Sequence, residues 1–427
     1  MMRTPVPPAS RSPLVNWAPS QEAANQRLQH FLPNAGASYA QRRNFDLGPA
    51  DRGNVSALSP WLRHRALLET EVLRAVLHNH TRSSAEKFVQ EVLWRGYFKG
   101  WLEHYPDVWT RYTSRLGELA DQLDQDRSLA RRYADAVHGK TGFDCFDAWA
   151  SELVEVGYLH NHARMWFASI WVYTLRLPWE LGADFFLRHL LDADPASNTC
   201  SWRWVGGLHT KGKTYLARAE NIETFTEGRF RLDGDFATLA PPLDEPELPS
   251  PIPIAPTQAQ PQEGRVGLIV TEEDCSPESL PLRRTPTAVL VLRTPTKRSL
   301  WPMGDIAHSF VSGVLADAAA RAETAFSVPV EVGDDDQWTK VIADWSKAHE
   351  LDAAVTARLT IGPVRTRLLK AMEGYGLPLV EVVRPYDEIV WPHTKRGFFA
   401  LKKQTPSILV QLEGGRGEFA PTSGLLL

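Results

Sequence analysis

A stretch of 28 residues, 235–262 (DFATLAPPLDEPELPSPIPIAPTQAQPQ), carries eight prolines and divides the chain into two flanks of different character. Proline fixes φ and has no backbone N–H, so the stretch can be neither a helix interior nor a central strand. An extended, semi-rigid connector is expected. At 427 residues the chain is too long for one ordinary core, so each flank is expected to be a domain. The expected organisation is a disordered leader over 1–18, a helical domain over 19–234, the connector over 235–262, an α/β domain over 263–415 and a tail over 416–427.

The flanks differ in hydrophobic period. Before the connector, Ser83–Tyr105 places Phe88, Val92, Leu93, Tyr97, Trp101 and Leu102 at helical spacing. Asp147–Tyr158 and Ala163–Leu175 read the same way, and Gly182 predicts a helix stop before Asp184–Leu191. After it, Val266–Val270 and Ala288–Leu292 are short aliphatic runs of the kind buried in parallel sheets. A helix over Ala307–Ala325 leads to a strand at Val328–Val332. Then follow a helix at Trp338–His349, a strand at Ala353–Ala357, a helix at Val364–Glu373 and a strand at Leu379–Val383. This alternation predicts a doubly wound parallel sheet, a Rossmann-like arrangement, though no GxGxxG or P-loop occurs in it.

Composition excludes several classes. The three cysteines are scattered and make neither a disulfide framework nor a CxxC site. The HNH triplets at His78–His80 and His160–His162 lack the further ligands of a metal nuclease, so no metal is expected. No stretch is apolar for long enough to span a bilayer, and the first residues lack a signal-peptide core. A cytoplasmic protein without membrane contact is expected. A net charge of −4 argues against a protein that coats nucleic acid by bulk charge, but not against a local basic face. Fifteen tryptophans suit stacking on bases or electron transfer between rings, although most large aromatics are simply core.

Polar residues concentrate among aromatics in four segments of the helical half: Tyr39–Ser59, Glu91–Phe98, His160–Met165 and Asp192–Trp204. Glu91 and Arg95 are one helical turn apart and fit an ordinary i,i+4 pair, or a charged lining on an aromatic face. Asp192 and Asp194 follow an apolar helix end, where paired acids either cap the chain or bind hydroxyl and amino groups of a ligand.

In order and separation these segments resemble the flavin domain of the DNA photolyase/cryptochrome family. The resemblance runs from about Pro19 to Phe230 and includes GKTGF at Gly139–Phe143, GYLHN at Gly157–Asn161, and Trp179 with Gly182. It implies an all-α FAD-binding domain. Tyr39 and the run Val55, Ser56, Ala57, Leu58 and Ser59 would hold the phosphates, with Val55 standing where the family usually has threonine. Phe88 replaces a common tryptophan. Arg95, Asn161 and Arg164 would line the flavin, Arg164 paired with Asp192, while Asp192 and Asp194 meet its ring or sugar edges. Asn198 would lie opposite the reactive ring nitrogen.

The same resemblance implies a partner, UV-damaged DNA with a flipped pyrimidine dimer. Glu91, Trp94, Met165 and Trp204 match positions that contact a cyclobutane dimer, with Arg43 nearby and His162 where an arginine is usual. Asn161 and Met165 stand where (6-4) photolyases carry histidines. Trp202 and Trp179 match the inner members of a photoreducing tryptophan chain, and the outer member falls near Asp126, where no tryptophan is present. Arg42, Arg43, Arg63, Arg65, Lys99, Lys140, Arg203, Lys211 and Lys213 are expected to ring the cavity for phosphates, Arg65 replacing a small residue. The implied function is a light-dependent lyase, with a cryptochrome-like photoreceptor without repair as the alternative. Tyr386–Lys403 is similar to the end of the family's α/β antenna domain, which implies a circularly permuted order.

Overall fold

The computed structural model describes residues 15, 17–231, 236–333 and 337–414. The expected tail over 416–427 and most of the expected leader lie outside the described residues. The last leader residues are packed, which moves that boundary back. Trp17 stacks on Tyr158 with 4.9 Å between ring centroids, and the Trp61 indole donates to the Ala18 carbonyl at 2.9 Å.

The helical half is built around the helix Arg82–His104, which starts where the Thr81 hydroxyl accepts from the Ser84 amide. Phe88, Val89, Val92, Leu93, Tyr97 and Trp101 bury it on several sides, the pattern of a core helix rather than a surface one. One stripe stays partly exposed: Glu91, Trp94, Arg95 and Phe98, at i, i+3, i+4 and i+7. The helix Trp179–His189 runs straight through Gly182, where a stop was expected. The glycine is there for space, because the Trp202 ring lies against its α-carbon and leaves no room for a Cβ. The expected helix over Ala163–Leu175 is an α-helix at Asn161–Ser169 that widens into a π turn at Ile170–Thr174.

In the second half five strands form one wholly parallel sheet: β1 Val266–Val270, β2 Ala288–Leu292, β3 Val330–Gly333, β4 Ala353–Ala357 and β5 Leu379–Val382. Their order is β3-β2-β1-β4-β5, with register such as Leu268 opposite Val289 and Val355. Strand order therefore reverses between β1 and β4. One face carries the helices Trp338–Ala348 and Pro363–Met372 over Ile269, Leu290, Leu292 and Ala354. On the other lies the helix Asp305–Phe326, whose Phe310 meets Trp61 of the helical half at 6.2 Å.

The two halves are welded rather than tethered. Residues 236–262 run without helix or strand along both: the Ile252 amide donates to the His104 carbonyl, the Leu243 amide to the Gly206 carbonyl and Arg203 pairs with Glu245 on one side, and the Thr257 hydroxyl donates to Glu388 on the other. The segment after β5 docks on the Arg82–His104 helix at two glycines. A Cβ at Gly96 would come within 2.7 Å of the Tyr386 hydroxyl, and one at Gly100 within 2.8 Å of the Trp391 ring. Each glycine costs that helix about 1 kcal/mol in propensity, offset by the large aromatics it admits.

Candidate functional site

Three elements bring the sequence-selected residues together: the exposed stripe of the Arg82–His104 helix, the start of the Asn161–Ser169 helix and the π turn Pro195–Cys200. Arg164 Nη1 donates to Asp192 at 2.9 Å and to Asn198 Oδ1 at 2.7 Å, and Asn198 Nδ2 donates back to the Asp192 carbonyl at 2.7 Å. Arg95 lies 3.4 Å from Asp194. Single-turn π segments recur at functional sites because they rotate side chains out of helical register, and Asn198 is presented by one.

Local capping explains why these segments hold their shape. Asp194 Oδ1 accepts the amides of Ala196 and Ser197 at 3.0 and 2.7 Å, so it caps the turn. Its other oxygen faces Arg95, Arg63 and Lys99. Burial acts to raise the Asp194 carboxyl, but these cations outweigh it and hold the group well below the usual carboxylate range. Capping and ion pairing therefore coexist in one residue. His160 Nδ1 accepts the His162 amide at 3.1 Å and caps the helix that carries Asn161 and Arg164. Burial, with Arg52 beside it, lowers the His160 imidazole to about 4. Asn161 itself is exposed at the helix start.

The expected phosphate run is shaped by an arginine that sequence alone did not single out. Arg27 donates to the carbonyls of Arg52, Val55 and Ser56 at 2.9, 2.7 and 2.7 Å. Ala57 takes a left-handed backbone (φ 51°), unusual for a residue with a Cβ. Ser56 and Ser59 remain partly exposed, while Val55, Ala57 and Leu58 are buried. Tyr39 and Phe88 are buried edge-to-face partners at 5.2 Å.

On the expected lesion side, Glu91 is bonded by Arg43, and burial raises its carboxyl despite that cation. Trp94 and Trp204 each stack within the chain: Trp94 lies flat on Phe398 at 3.6 Å, and Trp204 packs on Tyr215 at 5.7 Å. His162 stacks on Trp166 at 3.9 Å, contacts the Asn44 carbonyl at 2.9 Å and reaches the Tyr215 hydroxyl at 3.3 Å. Met165 is partly exposed between buried Ala163 and Trp166. Trp202 packs on Phe186 at 5.0 Å and on Trp171 at 6.2 Å. Trp179 continues to Tyr112 at 5.8 Å and Tyr112 to Trp109 at 5.1 Å, rings that sequence had not placed in the chain. Asp126, at the expected outer position, is a helix cap for Ser128 and Leu129.

The expected basic rim needs correction. Arg63, Arg65, Lys99 and Arg203 are each 3 % exposed or less and paired with carboxylates. A desolvated, paired cation cannot position a DNA phosphate. Arg42, Lys140, Lys211 and Lys213 are exposed and Arg43 partly so. Arg65 occupies the left-handed region (φ 50°) and donates to Asp387 at 2.7 Å, with Glu69 at 3.3 Å and Asp274 at 3.6 Å. The larger side chain thus serves the contact between halves. A signal for this was present in Glu272–Asp274, three consecutive acids immediately beyond a buried strand.

A bound group is accommodated by what these residues leave unsatisfied. Among the described residues, Asp192 Oδ1 and Arg95 Nε are buried without a hydrogen-bond partner, an acceptor and a donor that a native interior ordinarily pairs. Beside them Arg95, Arg164 and Asn198 remain partly exposed, as do Ser56 and Ser59 of the expected phosphate run. The donor and acceptor set suits a ligand offering imide, hydroxyl and phosphate groups, which FAD carries.

Fold and site together define a helical cofactor-binding domain packed against an α/β partner. Residues 88–239 match the family model of the FAD binding domain of DNA photolyase. The matched residues of the helical half are therefore similar to that FAD-binding domain. The chain is 30% identical over 223 residues to the deoxyribodipyrimidine photo-lyase of Agrobacterium fabrum, covering 52% of this chain and 44% of that protein. It is 32% identical over 193 residues to the one from Synechococcus sp., covering 44% and 38%. A crystal structure of a bacterial class III photolyase from Agrobacterium tumefaciens aligns with a TM-score of 0.39 at 25% identity, over 52% of this chain and 46% of that one. The chain spans less than half the length of these relatives.

Proposed function

We propose that the protein is a light-dependent lyase that splits cyclobutane pyrimidine dimers in UV-damaged DNA. The observation that carries this is the Arg164–Asp192–Asn198 triangle, which presents an amide rather than a second carboxylate at the position expected to face the flavin. Reduced FAD, when bound, supplies the light-excited electron for ring splitting. Arg164 and Asp192 fix each other and keep the Asn198 amide in one orientation, so no added negative charge opposes an electron-rich ring. Tyr39, Ser56 and Ser59 would hold the phosphates, Arg95 would line the flavin, and Asp192 and Asp194 would meet its ring or sugar edges.

On the substrate side Glu91, held by Arg43, would offer its carboxyl group to a base edge; burial raises that carboxyl above its ordinary value. Trp94, Met165 and Trp204 provide apolar contact to an extruded dimer. Arg43 orients Glu91, and the exposed cations Arg42, Lys140, Lys211 and Lys213 supply phosphate contacts. Trp202 and Trp179 are the rings that would refill the flavin with electrons, and Tyr112 and Trp109 extend the series beyond Trp179. The parallel sheet and the docked Tyr386–Lys403 segment support a permuted antenna-type α/β domain.

One observation favours the photoreceptor alternative: Phe398 already occupies one face of Trp94, which removes one stacking surface from the dimer pocket. Blue-light illumination of the reduced protein with dimer-containing oligonucleotide distinguishes the two. Light-dependent restoration of the pyrimidines is the expected result. Flavin photochemistry without restoration, and without binding to damaged DNA, would establish the alternative.

A further inference from the structure

Strand β1 is followed, after Thr271, by three consecutive acids, Glu272, Glu273 and Asp274, each 4 % exposed or less. They sit beyond the carboxyl end of β1, beside the gap to β4 where strand order reverses, the position at which open α/β sheets usually hold a ligand. Here the position takes side chains from the other half. Glu273 receives two bonds from Arg63, at 2.6 and 3.0 Å, and one from the Thr360 hydroxyl beyond β4 at 2.9 Å. Lys99 Nζ lies 3.8 Å from it.

The same two cations face Asp194. Arg63 Nε is 3.8 Å and Lys99 Nζ 4.0 Å from Asp194 Oδ2, and Arg95 approaches to 3.4 Å. Arg63, Lys99, Asp194 and Glu273 are all 3 % exposed or less. Interactions among such charges are screened far less than at a surface. Burial alone would raise the Glu273 carboxyl, yet Arg63 and Lys99 hold it below the ordinary range; burial lowers Lys99, and Asp194 and Glu273 oppose that shift. Without the Glu273 charge, Arg63 and Lys99 have Asp194 as their nearest remaining shared carboxylate, and the surroundings of Asp194 become more positive by one charge.

We propose that Glu273, supplied by the α/β half, is a positioning residue of the flavin site in the helical half: it divides Arg63 and Lys99 with Asp194 and so sets the orientation and field that Asp194 presents to FAD. The proposal rests on the FAD assignment above. The α/β half is then part of the flavin site's construction, and its strand-reversal position is an electrostatic clamp. Glu273→Gln keeps the shape and removes the charge. A more positive surrounding favours the anionic reduced ring over the neutral oxidised one, so the flavin midpoint potential rises. Asp194, drawn onto two cations, holds oxidised FAD about tenfold less tightly.

The test uses the full chain as wild type, E273Q, E273D and the charge-rebalanced E273Q/K99M. For each, thermal unfolding, the Kd for added FAD and the midpoint potential are measured. Expected are a higher potential and weaker FAD binding in folded E273Q, with return toward wild type in E273D and in the double variant. If E273Q does not fold, a folded double variant with the wild-type potential supports the proposal. An unchanged Kd and potential in E273Q, with only a lower melting temperature, overturns it, as does a double variant whose potential departs from wild type. A wild-type protein that takes up no FAD refutes the underlying assignment instead.

Discussion

The Arg164 guanidinium meets the Asp192 carboxylate at 2.9 Å across 28 residues of chain, and the contact joins the start of one helix to the turn that follows another. Asp192 is 2 % exposed. Replacing it by alanine leaves Arg164 with the Asn198 amide but without the one carboxylate it pairs with among the described residues. A loss of about 3 kcal/mol in unfolding free energy is expected, the usual cost of breaking a largely buried pair, together with loss of FAD from the purified protein. D192N, which keeps the shape, is expected to fold but to retain less FAD; denaturant titration and flavin absorbance check both.

His160 couples stability to pH. Its Nδ1 accepts the His162 amide, so protonation there removes the helix cap. The folded-state value is about 4 against an ordinary 6.5. The unfolded chain therefore binds more protons between those values, and stability falls as pH drops from 6.5 toward 4. The maximum slope from one such group is about 1.4 kcal/mol per pH unit. H160N preserves a capping acceptor without titrating, and unfolding measured across this range is expected to show a shallower decline than wild type.

Arg65 ties the halves together through Asp387, Asp274 and Glu69. R65A leaves buried acids without this cation and is expected to cost about 3–5 kcal/mol. Because the contact spans both halves, calorimetry should show the whole protein melting earlier in one transition, not the α/β half alone.

Electron supply is expected to depend on rings that lie in sequence before the helix carrying Trp179. W202F should strongly slow photoreduction of oxidised flavin in the presence of a thiol donor. Y112F and W109F should slow it partially, given the 5.8 and 5.1 Å spacings. Dimer repair by chemically pre-reduced protein should be unaffected by Y112F or W109F, which separates electron supply from lesion chemistry. Transient absorption of the flavin and of tryptophan radicals measures the first, and product analysis the second.

The legible parts were those governed by local pattern. The Arg82–His104 helix was visible in its apolar spacing, and the five strands in their aliphatic runs. The pairing of Arg164 with Asp192 followed from family resemblance. What escaped depends on distant partners. Phe398 lies on Trp94 across 304 residues of chain, and Arg63, Arg65, Lys99 and Arg203 looked like a DNA-facing rim because their carboxylates come from residues 69–387. A basic residue's sequence neighbourhood does not reveal whether water or a buried acid faces it. The π turns at Ile170–Thr174 and Pro195–Cys200 were equally hidden, since one extra residue per turn leaves almost no trace in hydrophobic period.

FAD would lie in the helical half, between the Arg82–His104 helix and the Asp192–Asn198 segment. Heat-releasing the bound cofactor from purified full-length protein, after reconstitution with excess FAD and removal of the unbound fraction, measures this directly by chromatography. About one FAD per chain is expected, falling sharply in D192A. A wild-type chain that unfolds cooperatively yet releases no flavin would contradict it.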